Sequence, residues 1–96
     1  MKQVVRTSSY RDDLDDIEAF IALDNAVSAL DMWFLIDDQV EKLSDPKFPR
    51  RLGRVLGTME LVAHENYIVI LEEDASCVTV LNIVHARQQW PMKGKR

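Results

Sequence analysis

The chain has 96 residues, 47% of them hydrophobic and 29% charged, which is enough sequence for one globular domain and excludes a second. Its formal net charge of −4 excludes a protein that coats nucleic acid through a strongly basic surface. The charge is uneven, because residues 1–48 carry five Lys/Arg against eleven Asp/Glu and residues 49–96 carry seven against five.

The single cysteine and the short apolar runs indicate the cellular compartment of the protein. Cys77 cannot form an internal disulfide, which fits a reducing cytoplasm, and it has no neighbouring partner for a metal site. We therefore expect no metal and no other cofactor. The longest apolar run, residues 32–36, is too short to cross a membrane, and residues 1–5 lack the apolar core of a signal peptide. These patterns predict a cytoplasmic protein with no membrane partner.

A short strand at residues 4–6 and a helix over residues 8–23 are the first predicted elements. Either Ser8 or Ser9 can cap the helix, because a hydroxyl accepts from the free amides of the first turn. The apolar face of the helix consists of Tyr10, Leu14, Ile17 and Ile21. The opposite face carries Asp12, Asp15 and Asp16. Carboxylates spread along a helix without a glycine turn cannot wrap a cation, so we interpret this face as solvated rather than as a metal site.

A second helix is predicted over residues 26–44, between a cap at Asp24 or Asn25 and a stop at Asp45-Pro46. Its main apolar seam consists of Ala29, Trp33, Ile36, Val40 and Leu43. With one or two residues between them, the two helices must form an antiparallel hairpin.

A second apolar stripe lies on the back of this helix, about 150° from the seam. It consists of Val27, Leu30 and Phe34. A hairpin packed on one sheet cannot bury both stripes, and three exposed apolar residues in register are typical of a partner site. The alternative is that the N-terminal strand or the C-terminal tail folds over the stripe.

The second half of the chain is predicted to form a basic loop and three strands. Residues 45–58 contain two prolines, two glycines and four basic residues, which indicates a connecting loop. Strands are predicted at residues 59–63, 67–72 and 78–84, which are rich in Val, Ile, Leu and Tyr. The fold is therefore α+β, a largely antiparallel four-stranded sheet with the helical hairpin on one face, and residues 91–96 form a flexible tail.

This order of elements, together with two sequence motifs, resembles the RelE/ParE superfamily of bacterial toxins. One motif is Gly-Thr-x-Glu-Leu-Val-x-His at residues 57–64, within the segment Arg54–Val69. The other is His-Ala-Arg at residues 85–87, within the closing segment Val84–Pro91. Both motifs are more similar to the ParE branch than to the RelE branch.

The resemblance implies a toxin of a type II toxin–antitoxin system, associated with growth arrest and plasmid stabilisation and neutralised by a cognate antitoxin in a higher hetero-oligomer. ParE-like members poison DNA gyrase, whereas RelE-like members cut mRNA in the ribosome. A third alternative is an inactive relative that only binds antitoxin, because Met59 stands where the resemblance implies an arginine.

Candidate site residues follow from these alternatives. An effector surface for gyrase would consist of Arg51, Arg54 and Arg87, whose guanidinium groups suit acidic partners. A ribonuclease would instead use His64, His85, Arg54 and Arg87 for proton transfer and phosphate binding. Both histidines also have an ordinary structural interpretation, His85 as the end of an apolar strand and His64 as a residue beside a turn. The antitoxin would bind Val27, Leu30 and Phe34.

Overall fold

The computed structural model describes residues 1–88 and places two helices on one face of a five-stranded sheet. The elements are β1 (Gln3–Arg6), α1 (Ser8–Ala22), α2 (Ala26–Lys42), β2 (Arg51–Leu52), β3 (Met59–His64), β4 (Tyr67–Glu73) and β5 (Cys77–His85). The strand order is β1-β5-β4-β3-β2, with β1 parallel to β5 and the other pairs antiparallel. This confirms the predicted α+β class and the helical hairpin. The predicted tail, residues 91–96, lies outside the described residues.

The fifth strand corrects the prediction of four. β2 lies within the predicted loop of residues 45–58 and pairs with the start of β3, Arg51 opposite Glu60 and Leu52 opposite Met59. The turn that follows β2 is closed by the Gly53 N–H, which donates to the Thr58 carbonyl at 2.9 Å. A Cβ on Gly53 would lie 2.1 Å from the Thr58 hydroxyl oxygen, so this turn requires glycine. A two-residue strand is too short for alternation to reveal it in the sequence.

The N-cap of α1 is Thr7, and the prediction of Ser8 or Ser9 was wrong. The Thr7 Oγ1 accepts from the Tyr10 N–H at 3.1 Å and also donates to the carbonyl oxygens of Val80 and Leu81 at 2.7 and 3.0 Å. These carbonyls lie where β5 is irregular, since its register against β4 shifts between Ile70 and Leu71. Thr7 thus joins the start of the helix to the sheet, a role that the sequence does not reveal.

Asn25 caps α2 as predicted, its side chain accepting from the Ser28 N–H at 2.9 Å. The predicted seam of α2 also forms, with Ala29, Ile36, Val40 and Leu43 buried and Trp33 half-buried. Ile36, Val40 and Leu43 join Tyr10 and Leu14 of α1 in one core against the sheet, and Trp33 packs against that core. The helices end at Ala22 and Lys42, slightly before the predicted limits, and Leu23 and Leu43 are the C-caps.

One polar network lies at the buried edge of this core. The fully buried Tyr10 donates its hydroxyl proton to Asp37 at 2.8 Å, and Arg6 binds the same carboxylate at 2.9 Å. Burial, and then the hydrogen bond to Asp37, raises the pKa of the Tyr10 phenol, which remains a neutral donor. The network ties β1 to both helices.

We predict that Thr7→Val lowers the free energy of unfolding by about 1–2 kcal/mol, because it removes both the helix cap and the donor for the β5 carbonyls. Urea unfolding monitored by circular dichroism measures the change. Ser9→Ala is the matched control, since Ser9 is exposed in the first turn, and it should leave the midpoint nearly unchanged. An equal loss in the two variants would show that the hydroxyl of Thr7 has no special role.

Candidate functional site

The candidate site is built around Glu60, which lies on the sheet face opposite the helices. Alternate residues of β3, Met59, Leu61 and Ala63, pack into the helical core, so Glu60 points the other way. Its neighbour in β4 is Ile70, which belongs to a second small apolar cluster with Ile68 and Val84. Glu60 is only 1% exposed. A carboxylate buried to this degree is costly unless cations and hydrogen bonds compensate it.

Two arginines supply that compensation. Arg51 donates from Nε and Nη2 to the Glu60 Oε1 at 3.1 and 3.0 Å. Arg54 donates from its backbone N–H and its Nε to the Oε2 at 3.1 and 3.3 Å. The Arg51 and Arg54 side chains are 56% and 43% exposed. The buried carboxylate therefore holds two guanidinium groups at the protein surface in a defined arrangement.

The ionisation of Glu60 reflects these contacts. Burial acts to raise the pKa of the Glu60 carboxyl, but the hydrogen bonds from the Arg54 backbone and from both guanidinium groups outweigh burial and lower that pKa. Glu60 is therefore ionised at neutral pH. The ion pairs join Glu60 of β3 to Arg51 of the two-residue strand β2 and to Arg54 of the turn after it, and they fasten both segments to the edge of the sheet.

The four basic residues of the 45–58 segment have different roles. Arg50 is buried and binds Glu73 at 3.2 Å and the Leu43 carbonyl at 3.3 Å, and Glu73 also receives Lys2 at 2.7 Å. Arg50 thus fixes the segment to the end of α2 and to β4. Lys47 is exposed. Of the basic residues predicted in this loop, Arg51 and Arg54 are the two that meet at Glu60.

Arg87 follows a residue that lines a cleft beside Glu60. The cleft has a volume of about 500 Å³, and its lining includes Arg51, Arg54, Glu60, Glu65 and Ala86. Arg87 follows Ala86 and is exposed, and its backbone N–H donates to the His85 Nδ1 at 3.1 Å. The structure thus brings Arg51 and Arg54 into direct contact with one carboxylate and places Arg87 next to the cleft, outside those ion pairs.

The two histidines lie on the other face of the sheet. His64 and His85 flank Tyr67 across the strands, with ring centroids 6.0 and 5.5 Å from the tyrosine ring. Tyr67 packs against the helical core, so this aromatic row shares the face of the helices. The Nδ1 atoms of His64 and His85 accept from the backbone N–H groups of Asn66 and Arg87. The four residues of the ribonuclease hypothesis are therefore divided between two faces.

The predicted antitoxin stripe is exposed in the structure. Val27, Leu30 and Phe34 are 69%, 50% and 56% exposed. The N-terminal strand does not cover them, because β1 pairs with β5 at the edge of the sheet. Phe20 and Leu23 near the tip of the hairpin are also exposed, and the sequence prediction missed them. Phe20 departs from the apolar spacing of α1, which is the signal that could have identified it.

The described part of the chain offers neither a group of metal ligands nor a membrane-spanning helix. Among residues 1–88, no three side chains of His, Cys, Asp or Glu come close enough together to hold a metal ion. No helix in that range is long and apolar enough to cross a bilayer.

We predict that Glu60→Gln lowers the free energy of unfolding by about 2 kcal/mol at neutral pH, because the guanidinium groups lose a charged acceptor. The contribution of Glu60 is complete above the pKa of an unfolded glutamate, about 4.3, and is lost as the pH falls through the lower folded value. The difference in the free energy of unfolding between wild type and variant should therefore vanish as the pH falls below the folded pKa of Glu60.

Urea unfolding of both proteins at neutral and acid pH provides the measurement. Glu65→Gln is the matched control, because Glu65 is an exposed glutamate in the next turn, and it should change stability little at either pH. If the difference in the free energy of unfolding between wild type and Glu60→Gln stays constant with pH, the ionised Glu60 does not stabilise the fold through its ion pairs with Arg51 and Arg54.

Comparison with known proteins shows the family to which this chain belongs. The structure matches a chain described as the chromosomal ParDE TA system from P. aeruginosa with a TM-score of 0.77 over 88% of this chain and 96% of that chain. The two share 21% identity, so this match establishes the fold. A relative from Sinorhizobium fredii, named "Putative toxin Y4kP", is 33% identical over 78 residues, 81% of each chain. The model of the family described as ParE toxin of type II toxin-antitoxin system matches residues 4–90. Because that match spans almost the whole sequence, the chain belongs to the ParE toxin family of type II toxin–antitoxin systems.

Proposed function

We propose that this ParE-family toxin arrests growth in the cytoplasm by inhibiting DNA gyrase and that a cognate antitoxin neutralises it. The observation that carries the proposal is the pair of exposed guanidinium groups that Glu60 holds beside the cleft. Guanidinium groups fixed in place recognise carboxylate or phosphate groups in a defined orientation. A toxin that works by holding an acidic partner needs this kind of surface and needs no catalytic group.

The placement of the histidines favours inhibition over RNA cleavage. General acid–base cleavage requires a proton-transfer group within hydrogen-bonding reach of the phosphate that the cations hold. His64 and His85 lie on the helical face, whereas Arg54 lies on the opposite face with Glu60. Neither histidine therefore shares a surface with Arg54. The chain also has no lysine between Lys47 and Lys93, and its net charge of −4 does not favour approach to ribosomal RNA.

Met59 does not weaken the proposed surface. Its side chain packs against the helical core, on the face away from Glu60. The cations of the effector surface come instead from β2, from the turn after it and from the residues that follow β5. An inactive relative that only binds antitoxin remains an outcome of the experiments below.

The antitoxin is proposed to bind the exposed stripe on α2. Phe34, at the C-terminal end of this stripe, packs edge-to-face against Trp33 with ring centroids 5.3 Å apart. An aromatic ring that is half-exposed and held by a neighbouring ring is typical of an interface anchor. We propose that toxin and antitoxin assemble through this stripe into a higher hetero-oligomer.

The decisive experiment tests purified protein in parallel for inhibition of gyrase supercoiling and for cleavage of mRNA on ribosomes. We expect inhibition of supercoiling and intact mRNA. Cleaved mRNA with normal supercoiling would contradict the proposal in favour of a RelE-like activity. Inactivity in both assays, with the antitoxin still bound, would identify an inactive relative.

We predict that the triple variant Arg51→Gln, Arg54→Gln, Glu60→Gln loses growth arrest, because it removes both guanidinium groups without leaving a buried carboxylate unpaired. Growth of cells expressing each variant measures the effect. The matched control is Arg11→Gln, Lys47→Gln, Glu72→Gln, which makes the same change in charge at exposed positions elsewhere and should stay toxic. Toxicity of the first variant at the level of the control would exclude this surface as the effector site.

Arg87→Glu tests the third predicted member of the surface. The Arg87 side chain is exposed and outside the Glu60 ion pairs, so the variant should keep its melting temperature within a few degrees while growth arrest weakens. Reversal of Arg54 would be a poorer test, because it would set a second carboxylate against the buried Glu60. Full toxicity of Arg87→Glu would remove Arg87 from the effector surface.

We predict that Phe34→Ala costs about 2 kcal/mol or more of antitoxin affinity, because it removes an interface anchor. The stability of the free toxin should change little, since the ring is 56% exposed. Isothermal titration calorimetry measures the affinity. Phe20→Ala is the matched control, an exposed phenylalanine on α1, and it should bind antitoxin normally. A large loss of stability with unchanged affinity would show that Phe34 belongs to the core.

A further inference from the structure

The charge of this protein is divided between its two layers. The segment that forms the helical hairpin, residues 8–42, contains ten Asp/Glu and two Lys/Arg. The guanidinium groups of Arg51 and Arg54 lie on the other side of the sheet. A partner that approaches the hairpin therefore meets an anionic surface, whereas a partner that approaches the cleft at Glu60 meets cations.

The apolar stripe lies within this anionic surface. At 100° per residue, Asp31 and Asp38 fall on the same face of α2 as Val27 and Phe34. Both aspartates are exposed, and neither carboxylate forms a hydrogen bond or an ion pair with another residue of the described part of the chain. The outer face of α2 thus presents an apolar row beside carboxylates that have no cation.

A groove continues this surface toward α1. It has a volume of about 570 Å³ and is bordered by Trp33, Asp15, Asp37 and Glu41, with Arg6 and Arg11 also at its margin. Arg6 pairs with Asp37 and Glu41, whereas Asp15 accepts only a long bond of 3.4 Å from the Trp33 indole N–H among the described contacts. Because Trp33 touches Phe34 edge-to-face, the groove and the stripe form one surface.

We propose that this surface binds a cationic amphipathic helix. Apolar side chains at helical spacing would cover Val27, Leu30 and Phe34, and flanking Lys or Arg side chains would pair with Asp31, Asp38 and Asp15. An acidic segment would bring like charges beside these carboxylates as the apolar stripe loses water, which costs affinity. The identification of this helix as part of the antitoxin rests on the proposed function, but the chemistry of the surface does not.

Two designed peptides of about 18 residues, or five helical turns, test this chemistry. They share one leucine face and differ in their flanks, which are all Lys in one peptide and all Glu in the other. Binding to the full chain is measured by fluorescence anisotropy of the labelled peptides. We expect the Lys peptide to bind at least about tenfold more tightly, with an advantage that shrinks at high salt as the charges are screened. Equal binding of the two peptides would overturn the proposal.

Matched variants locate the bound peptide. Asp31→Asn, Asp38→Asn should weaken binding of the Lys peptide by about fivefold or more, from the loss of two ion pairs. Asp12→Asn, Asp16→Asn makes the same change at exposed positions on the far flank of α1 and should have less than about a twofold effect. Phe34→Ala should weaken both peptides. If the two double variants weaken peptide binding equally, the attraction comes from the overall negative charge of the protein, and the proposed surface is wrong.

The same variants separate this inference from the proposed function. Asp31→Asn, Asp38→Asn should still arrest growth, because it leaves the guanidinium surface intact, but should escape neutralisation by the antitoxin more readily. Failure of the peptides to bind, in a chain that still inhibits gyrase, would contradict the inference alone. Selective binding of the Lys peptide by a chain that does not inhibit gyrase would contradict the proposed function alone.

Discussion

The Glu60 carboxylate is the group on which the exposed side of the sheet depends. It is buried at the start of β3, and its two oxygens take four hydrogen bonds from Arg51 and Arg54. Without that charge, β2 would have only two residues of backbone pairing to hold it. One buried anion thus fastens β2 to the sheet, holds the backbone of the turn at Arg54 and orients two surface cations.

This arrangement explains how a small acidic protein can present a cationic site. The net charge is −4, yet the Arg51 and Arg54 side chains lie together on one face of the sheet, and ten of the carboxylates belong to the helical hairpin segment on the other face. Binding surfaces respond to local charge more than to net charge. Family membership, the fold and the two surfaces are therefore compatible with one toxin that engages an acidic partner and a cationic partner at separate places.

The candidate site was only partly predictable. The basic character of residues 45–58 was evident, but the sequence could not separate Arg50, which is buried against Glu73, from Arg51 and Arg54, which reach the surface. Glu60 belongs to the motif at residues 57–64, yet its burial and its role as common acceptor for two arginines depend on strand pairing with β2. The ribonuclease hypothesis grouped His64 and His85 with Arg54, but strand register places both histidines on the face of the sheet away from Arg54.

The sequence by itself determined the elements whose signal is periodic and local: the two helices, a cap at Asp24 or Asn25, the three long strands and the second apolar stripe of Val27, Leu30 and Phe34. Apolar spacing encodes these features within one helix or strand, so no distant residue is needed to recognise them. Only the tertiary structure decided the fifth strand, the cap at Thr7 and the grouping of Arg51 and Arg54 on Glu60. Each of these depends on which residues lie opposite one another across the sheet, and a shift of one residue in register would turn every side chain of a strand to the other face.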